Sequence, residues 1–133
     1  NNFVTTILNL AKDQKTIQVI SDQWGGPTSA SYIAKTIFEV LPKIKNNWGI
    51  YNLCQLPYTN WANFAEEIVN IGHKYELINT KPKVEFISSK QYITAAKRPT
   101  NSRLDVSKIN TLFNLKPYSW KESLLDMLND FQF

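Results

Sequence analysis

One cysteine, one histidine and four glycines in 133 residues narrow what this chain does before any motif is considered. A lone Cys54 forms no internal disulfide. It lies in the strand-like run Ile50–Gln55, where a small buried hydrophobe is a better reading than a nucleophile, and a cytoplasmic, reducing compartment suits it. With His73 alone and no clustered carboxylates, no metal site assembles at known ligand spacing. His73 follows Gly72 at a predicted helix end, where an imidazole near the C-terminal dipole is unremarkable, so it is a poor catalytic candidate. No apolar run approaches the roughly 20 residues that cross a bilayer, and no membrane partner is expected. Lys and Arg exceed Asp and Glu by a formal +4, but the cations are scattered. Lys81, Lys83, Lys90, Lys97 and Arg98 come nearest to a run and have no aromatic stacking platform among them, so no nucleic-acid partner is expected either. Mild basicity equally suits a small anionic ligand.

What is present reads as one α/β domain over residues 1–133. The hydrophobic content of 43% is that of a globular chain, and this length buries about two-thirds of its unfolded surface. Phe3, Val4, Ile7, Leu8 and Ala11 recur at helical spacing; Thr16–Ile20 alternates like a half-buried strand. A helix is predicted from Ser29 or Ala30 to Ile44, with Thr28 or Ser29 as its N-cap and Ile33, Ala34, Ile37, Phe38, Leu41 and Ile44 as its apolar face. Strand Ile50–Gln55 follows. Thr59 or Asn60 then caps a helix that carries Trp61, Phe64, Ala65, Ile68 and Val69 and stops at Gly72. Val84–Ile87 alternates as a short strand, Ser88 or Ser89 starts a brief turn, and Thr94–Leu104 is a loop. Asp105 or Ser107 caps Lys108–Phe113. Ser119-x-x-Glu122 is a capping box for a last helix whose stripe is Trp120, Leu124, Met127, Leu128 and Phe131.

The most informative stretch is Asp22-Gln23-Trp24-Gly25-Gly26-Pro27-Thr28-Ser29, which sets glycine, proline and hydrogen-bonding side chains between a strand and a helix. Taken alone it is a capped connection. Trp24 there either plugs the core or offers a flat face to a base or sugar, and the core is the favoured reading. Arg98, before Pro99 in an extended loop, is either an ion-pair residue or a planar fork for a diphosphate.

These residues also resemble a family. Asp22-Gln-x-Gly-x-Pro-Thr28 is similar to the D-Q-x-G-x-P-T segment of dTDP-4-dehydrorhamnose reductases, extended short-chain dehydrogenase/reductases that make the last reduction in dTDP-L-rhamnose synthesis. Asn2-Phe3 looks like the end of their G-x-N-F segment, and Gly49-Ile50-Tyr51-Asn52-Leu53 like their G-x-Y-[HN]-L strand. Thr59-Asn60-Trp61-Ala62-Asn63-Phe64-Ala65 resembles their [ST]-x-x-[DE]-[FY]-A helix start, and Arg98-Pro99-Thr100-Asn101-Ser102-Arg103-Leu104 their R-P-x-x-S-x-L loop. The matches are collinear from the first residues nearly to the last, which makes them more specific together than singly.

The family's G-x-x-G-x-x-G turn for a dinucleotide and its Tyr-x-x-x-Lys pair are both missing: Tyr32 is followed four residues on by Thr36, Tyr58 by Ala62, Tyr92 by Ala96. The chain begins at Asn1, inside a family motif, and is read as the C-terminal part of an extended short-chain reductase: several helices with a small sheet, lacking the complete Rossmann cofactor domain. The resemblance then implies a dTDP-sugar-binding portion that is inactive alone, with no catalytic residue of its own. NADPH or NADH would be bound mainly by the absent N-terminal domain, and a homodimer is compatible with it. It places Asn2, Phe3, Asp22, Gln23, Trp24, Thr28, Arg98, Asn101 and Ser102 at the substrate. Two departures touch that pocket: Lys97 stands where relatives often have a first arginine, and Trp24 replaces a smaller or different aromatic residue. Two other readings stay open, a reductase-like regulatory subunit of the methionine adenosyltransferase type and a reductase or epimerase for another nucleotide-sugar.

Overall fold

The computed structural model describes residues 2–92 and 98–129; Thr94–Lys97 of the predicted loop and Phe131 of the last predicted stripe lie outside them. Helix α1 spans Phe3–Asp13 and begins with a capping box: Asn2 Oδ1 accepts from Thr5 N–H at 2.9 Å, and Asn2 N–H donates to Thr5 Oγ1 at 3.1 Å. Strand β1, Thr16–Ile20, has the predicted bounds. It pairs in parallel with β4, Lys83–Ile87, in the register Thr16↔Lys83 to Ile20↔Ile87. A parallel pair needs a crossover, and here the crossover runs through β2 (Trp24–Gly25), α2 (Ala30–Val40, continued by a 3₁₀ turn at Leu41–Lys43), β3 (Thr59–Asn60) and α3 (Trp61–Lys74). Helices α4 (Ser107–Phe113) and α5 (Trp120–Asn129) complete the described elements. Among the described residues the sheet content is two separate two-stranded pieces, β1–β4 and an antiparallel β2–β3.

The main core joins α1, α3, α5 and the β1–β4 pair. Ile17, Ile68 and Leu128 are completely enclosed in it, each contributing about 1.5–3 kcal/mol by burial. Helix α3 is buried on more than one face because α1 covers one side and the sheet another. It continues two residues past Gly72. That glycine serves close approach rather than termination: a Cβ there would sit 2.7 Å from Leu8 Cδ2. The left-handed residue that ends the helix is Glu76, at φ 59°. The predicted caps hold at Ser29, Asn60 and in the Ser119/Glu122 box, where Ser119 N–H donates to Glu122 Oε2 at 2.8 Å. The expected cap of α4 by Asp105 or Ser107 is corrected: its N-cap is Val106, which makes no side-chain cap bond, and Asp105 Oδ1 accepts from Ser107 N–H in the turn that leads into the helix.

Two further expectations are corrected. The run Ile50–Gln55 forms no strand and pairs with none among the described residues; a strand-like composition still needs a partner to make a ladder. The apolar face of α2 does not enter the core. Ile33, Ile37, Phe38 and Leu41 are exposed, and Thr36 is the helix's buried residue. A second, smaller cluster of Cys54, Val106, Ile109, Phe113 and Leu115 takes only the far end of that helix, through Val40 and Ile44.

Candidate functional site

Trp24 is the hub at which three remote segments meet. On one side its strand pairs with β3, Trp24 opposite Asn60 and Gly25 opposite Thr59. On the other, Trp24 N–H donates to Thr100 O at 2.9 Å, while Ser102 donates to Trp24 O from both N–H (2.8 Å) and Oγ (2.9 Å). The backbone of residue 24 is thus held between the 59–60 strand and the 98–104 loop, and its side chain goes outward, 39% exposed. The sequence reading that favoured the core for Trp24 is corrected: both flanks of the backbone are taken by neighbouring segments, so the indole emerges at their surface.

Arg103 lies beside that indole. Its guanidinium carbon is 6.0 Å from the Trp24 ring centroid and 5.9 Å from that of Tyr58, within cation–π range of both. Asn101 Oδ1 accepts from Arg103 Nε at 2.8 Å and N–H at 3.2 Å, which holds the fork in place, and Tyr58 OH donates to Leu104 O. The sequence alone gives Arg103 no role beyond a variable position of the R-P-x-x-S-x-L loop. Its aromatic neighbours are remote in sequence, and the available signal was its place two residues after Asn101.

Of the predicted site residues, Asn2, Phe3, Thr28 and Ser102 line two adjoining hollows. A narrow cleft of about 180 Å³ is bordered by Gly25, Gly26, Thr28, Thr59, Asn60 and Ser102. A wider groove of about 960 Å³ is bordered by Asn2, Phe3 and Thr28 from the predicted set, by Lys35 and Asp126, and by an aromatic floor of Trp61, Phe64 and Trp120. Pro27, Thr28 and Trp61 belong to both. Phe3 is 4.9 Å from Trp61 and 5.6 Å from Phe64, ring to ring, and Phe64 meets Trp120 edge-on at 5.2 Å. Apolar rings with a few hydroxyl, amide and charged groups around them form the kind of hollow that holds a base or a sugar.

Trp24, Asn101, Asp22, Gln23 and Arg98 stand outside both hollows. The Asp22 carboxylate accepts from Ser89, from N–H at 3.0 Å to each oxygen and from Oγ at 2.9 Å; these bonds hold its pKa below the ordinary carboxylate value. Gln23 is buried. Arg98 is exposed two residues before Thr100, whose carbonyl receives Trp24 N–H.

Gln55, not predicted, ties the groove together. It is 1% exposed. Its Nε2 donates to Ser123 Oγ (2.7 Å) and to the carbonyls of Ser119 (3.1 Å) and Tyr118 (3.3 Å), and its Oε1 accepts from Ser29 N–H at 2.9 Å. Gln55 N–H donates to Thr28 Oγ1. Nearby, Tyr118 OH donates to Asp126 Oδ2, and the bond to that carboxylate raises the phenol's pKa. Burial likewise pushes the Cys54 thiol up.

The loop glycines and two amides at the start of α2 are engaged within the fold. A Cβ on Gly25 would meet Ser102 Oγ at 2.9 Å and one on Gly26 would meet Gln55 O at 2.7 Å, so these glycines serve internal packing. At the start of α2, Ser29 N–H is taken by Gln55 and Tyr32 N–H by Ser29 Oγ, where a pyrophosphate would need such groups open. No group of three or more metal-ligating side chains occurs among the described residues. No helix among them is long and apolar enough to cross a membrane.

The family described as RmlD substrate binding domain matches residues 1–133, and the chain belongs to that family. Among curated relatives it is 37% identical over 128 residues to a dTDP-4-dehydrorhamnose reductase of Aggregatibacter actinomycetemcomitans, covering 93% of this chain and 44% of that protein. It is 32% identical over 133 residues to the dTDP-4-dehydrorhamnose reductase of Escherichia coli K12, covering 98% and 44%. Among solved structures, a dTDP-4-dehydrorhamnose reductase of Clostridium acetobutylicum superposes with a TM-score of 0.86 at 29% identity, over 100% of this chain and 45% of that one. The enzyme of Bacillus anthracis, solved in complex with NADP, gives 0.77 at 27% identity, over 99% and 44%. The chain therefore spans less than half the length of the relatives it matches.

Proposed function

We propose that this chain is the nucleotide-sugar-binding portion of an NADPH-dependent dTDP-4-dehydrorhamnose reductase, a single domain over residues 1–133 that has no turnover by itself. The observation that carries this reading is the match of the substrate-binding family to all 133 residues, in a chain whose described residues build a groove with aromatic walls and no dinucleotide cradle. In this reading Phe3, Asn2 and Thr28 line the sugar-nucleotide groove. Ser102 meets the ligand from the narrow cleft, Trp24 and Asn101 from the surface beside the two hollows, Asp22 and Gln23 shape the loop that carries Trp24, and Arg98 meets the diphosphate. The hydride donor is held by the portion of the enzyme outside this chain.

Calorimetric titration of the chain with dTDP-L-rhamnose tests the binding half of the reading, with dTDP and UDP-glucose as competitors. Saturable binding that prefers the dTDP ligands is expected, together with no NADPH oxidation when dTDP-4-dehydrorhamnose is added. Preference for UDP-glucose would move the assignment to another nucleotide-sugar enzyme. Turnover by the chain alone would end the claim of inactivity.

A further inference from the structure

Trp24, Tyr58 and Arg103 come from the three segments that frame the narrow cleft. Their neighbours Gly25, Thr59, Ser102 and Leu104 border it, whereas these three side chains meet beside it. The backbone of Trp24 is tied on both flanks, as a strand opposite Asn60 and as a bridge to Asn101, but main-chain bonds leave the indole free to rotate about its own side-chain torsions. Trp120 Nε1 donates to Pro57 O, which fixes that ring, while Trp24 Nε1 has no partner among the described residues. What lies against the Trp24 ring is the Arg103 guanidinium. That guanidinium is itself pinned. Asn101 Oδ1 accepts its Nε–H at 2.8 Å, and the Tyr58 ring, 5.9 Å from it, is held by its hydroxyl on the Leu104 carbonyl. A planar cation pinned in this way restrains the rings beside it. Its charge is not spent on an acid: the ion pairs among the described residues are Lys43–Glu39 and Lys121–Glu67.

We infer that Arg103 is a positioning residue for ligand binding: it holds the Trp24 indole in one orientation beside the cleft, and Asn101 holds Arg103. The inference rests on the proposal that Trp24 meets the nucleotide-sugar. The two ends of the Asn101 carboxamide then have different tasks, Oδ1 for Arg103 and Nδ2 for the ligand. A ring fixed before the ligand arrives has less side-chain freedom to lose on binding, so the brace tightens binding without touching the reacting atoms. A ring contact of this kind is the same in ground and transition states, which puts its effect in KM rather than kcat. Lysine cannot take the place of Arg103. It carries the charge but has neither the planar fork nor the Nε–H that Asn101 accepts.

Kinetics of the full-length enzyme, combined with the indole N–H resonance of Trp24 in the ligand-free protein, test the brace. Arg103→Ala is expected to raise KM for dTDP-4-dehydrorhamnose by about 5- to 10-fold, the scale of a cation stacked on exposed rings, and to leave kcat, KM for NADPH and the melting temperature unchanged. Arg103→Lys is expected to give the same rise. In a Trp24→Ala background, Arg103→Ala is expected to change KM no further, because the two residues act as one unit. The Trp24 resonance, assigned by its loss in Trp24→Ala, is expected to shift and broaden in Arg103→Ala. Full rescue by lysine overturns the inference, since charge alone would then suffice. So does an Arg103→Ala effect that persists undiminished without Trp24, which would put Arg103 on the ligand itself. A fall in melting temperature with KM unmoved, or an unchanged Trp24 resonance, overturns it as well. Failure of the proposed function looks different: the unaltered full-length protein then neither binds nor reduces the dTDP-sugar, and the inference falls with it, whereas the inference alone fails when the parent binds and the variants bind equally well.

Discussion

Gln55 Nε2 donates to Ser123 Oγ over 2.7 Å, and both side chains are buried. Ser123 belongs to the first turn of α5 and also receives Ser29 Oγ–H from the cap of α2, at 3.1 Å. One carboxamide therefore joins the strand-to-helix loop, the 50–55 segment and α5 at the wall of the groove. It leaves no side-chain polar atom unpaired, and no described buried side-chain atom lacks a partner.

Replacing that carboxamide exposes the cost of the arrangement. Gln55→Leu keeps the volume but takes the partner from Ser29 N–H and from the Tyr118 carbonyl, while Ser123 Oγ keeps Ser29 Oγ–H and the Ser119 carbonyl keeps Ser123 N–H, and a loss of about 2 kcal/mol is expected, since each unsatisfied buried group costs on the order of 1–3 kcal/mol. Urea unfolding followed by circular dichroism measures it. A loss below about 1 kcal/mol would mean that water enters and replaces the amide.

The two adjacent glycines of the loop are expected to differ. A Cβ on Gly26 meets Gln55 O, a backbone atom, at 2.7 Å, whereas one on Gly25 meets the rotatable Ser102 hydroxyl at 2.9 Å. Gly26→Ala should cost about 1–3 kcal/mol, as overpacking does, and Gly25→Ala clearly less. Equal melting temperatures for the two variants would show that the Gln55 backbone gives way easily.

Acid stability isolates the Asp22–Ser89 contact. The Asp22 pKa is lowered from an ordinary 3.8, first by the Ser89 backbone N–H. A carboxylate depressed in the folded state contributes stability that is complete above its unfolded pKa and disappears as the pH falls through the folded one. Asp22→Asn should therefore lower the melting temperature near neutrality, with the gap to the parent chain closing below about pH 4, where the parent's carboxylate becomes protonated. A gap that is constant from pH 7 to pH 2 would remove the ionised carboxylate from the explanation.

Arg98 tests the substrate reading most directly. In the full-length enzyme, Arg98→Ala should weaken dTDP-sugar binding by about 1.5–3 kcal/mol, the range for a hydrogen bond to a charged group, and leave NADPH affinity unchanged. KM should rise more than kcat falls, because a diphosphate is held alike in ground and transition states. Unchanged dTDP affinity would leave Arg98 as an ion-pair residue.

What could be read from the sequence is what short-range physics controls. The Thr16–Ile20 strand, the Ser29 and Asn60 caps, the Ser119/Glu122 box and the Trp120-Leu124-Leu128 stripe each depend on residues within a turn or two of one another, and the family motifs located the loop around Trp24. Tertiary structure decided the rest. The stripe of Ile33, Ile37 and Phe38 has the same helical spacing as the buried stripe of α5, but spacing identifies an apolar face without saying what covers it. Ile50–Gln55 reads as a strand as Thr16–Ile20 does, but β1 finds β4 more than sixty residues away and 50–55 finds no strand among the described residues. The indole of Trp24 faces outward and meets Arg103 because Asn60 and Ser102, far apart in the chain, claim the two edges of its backbone. Caps and periodicity act over one or two turns, whereas coverage, pairing and exposure depend on which distant surface arrives.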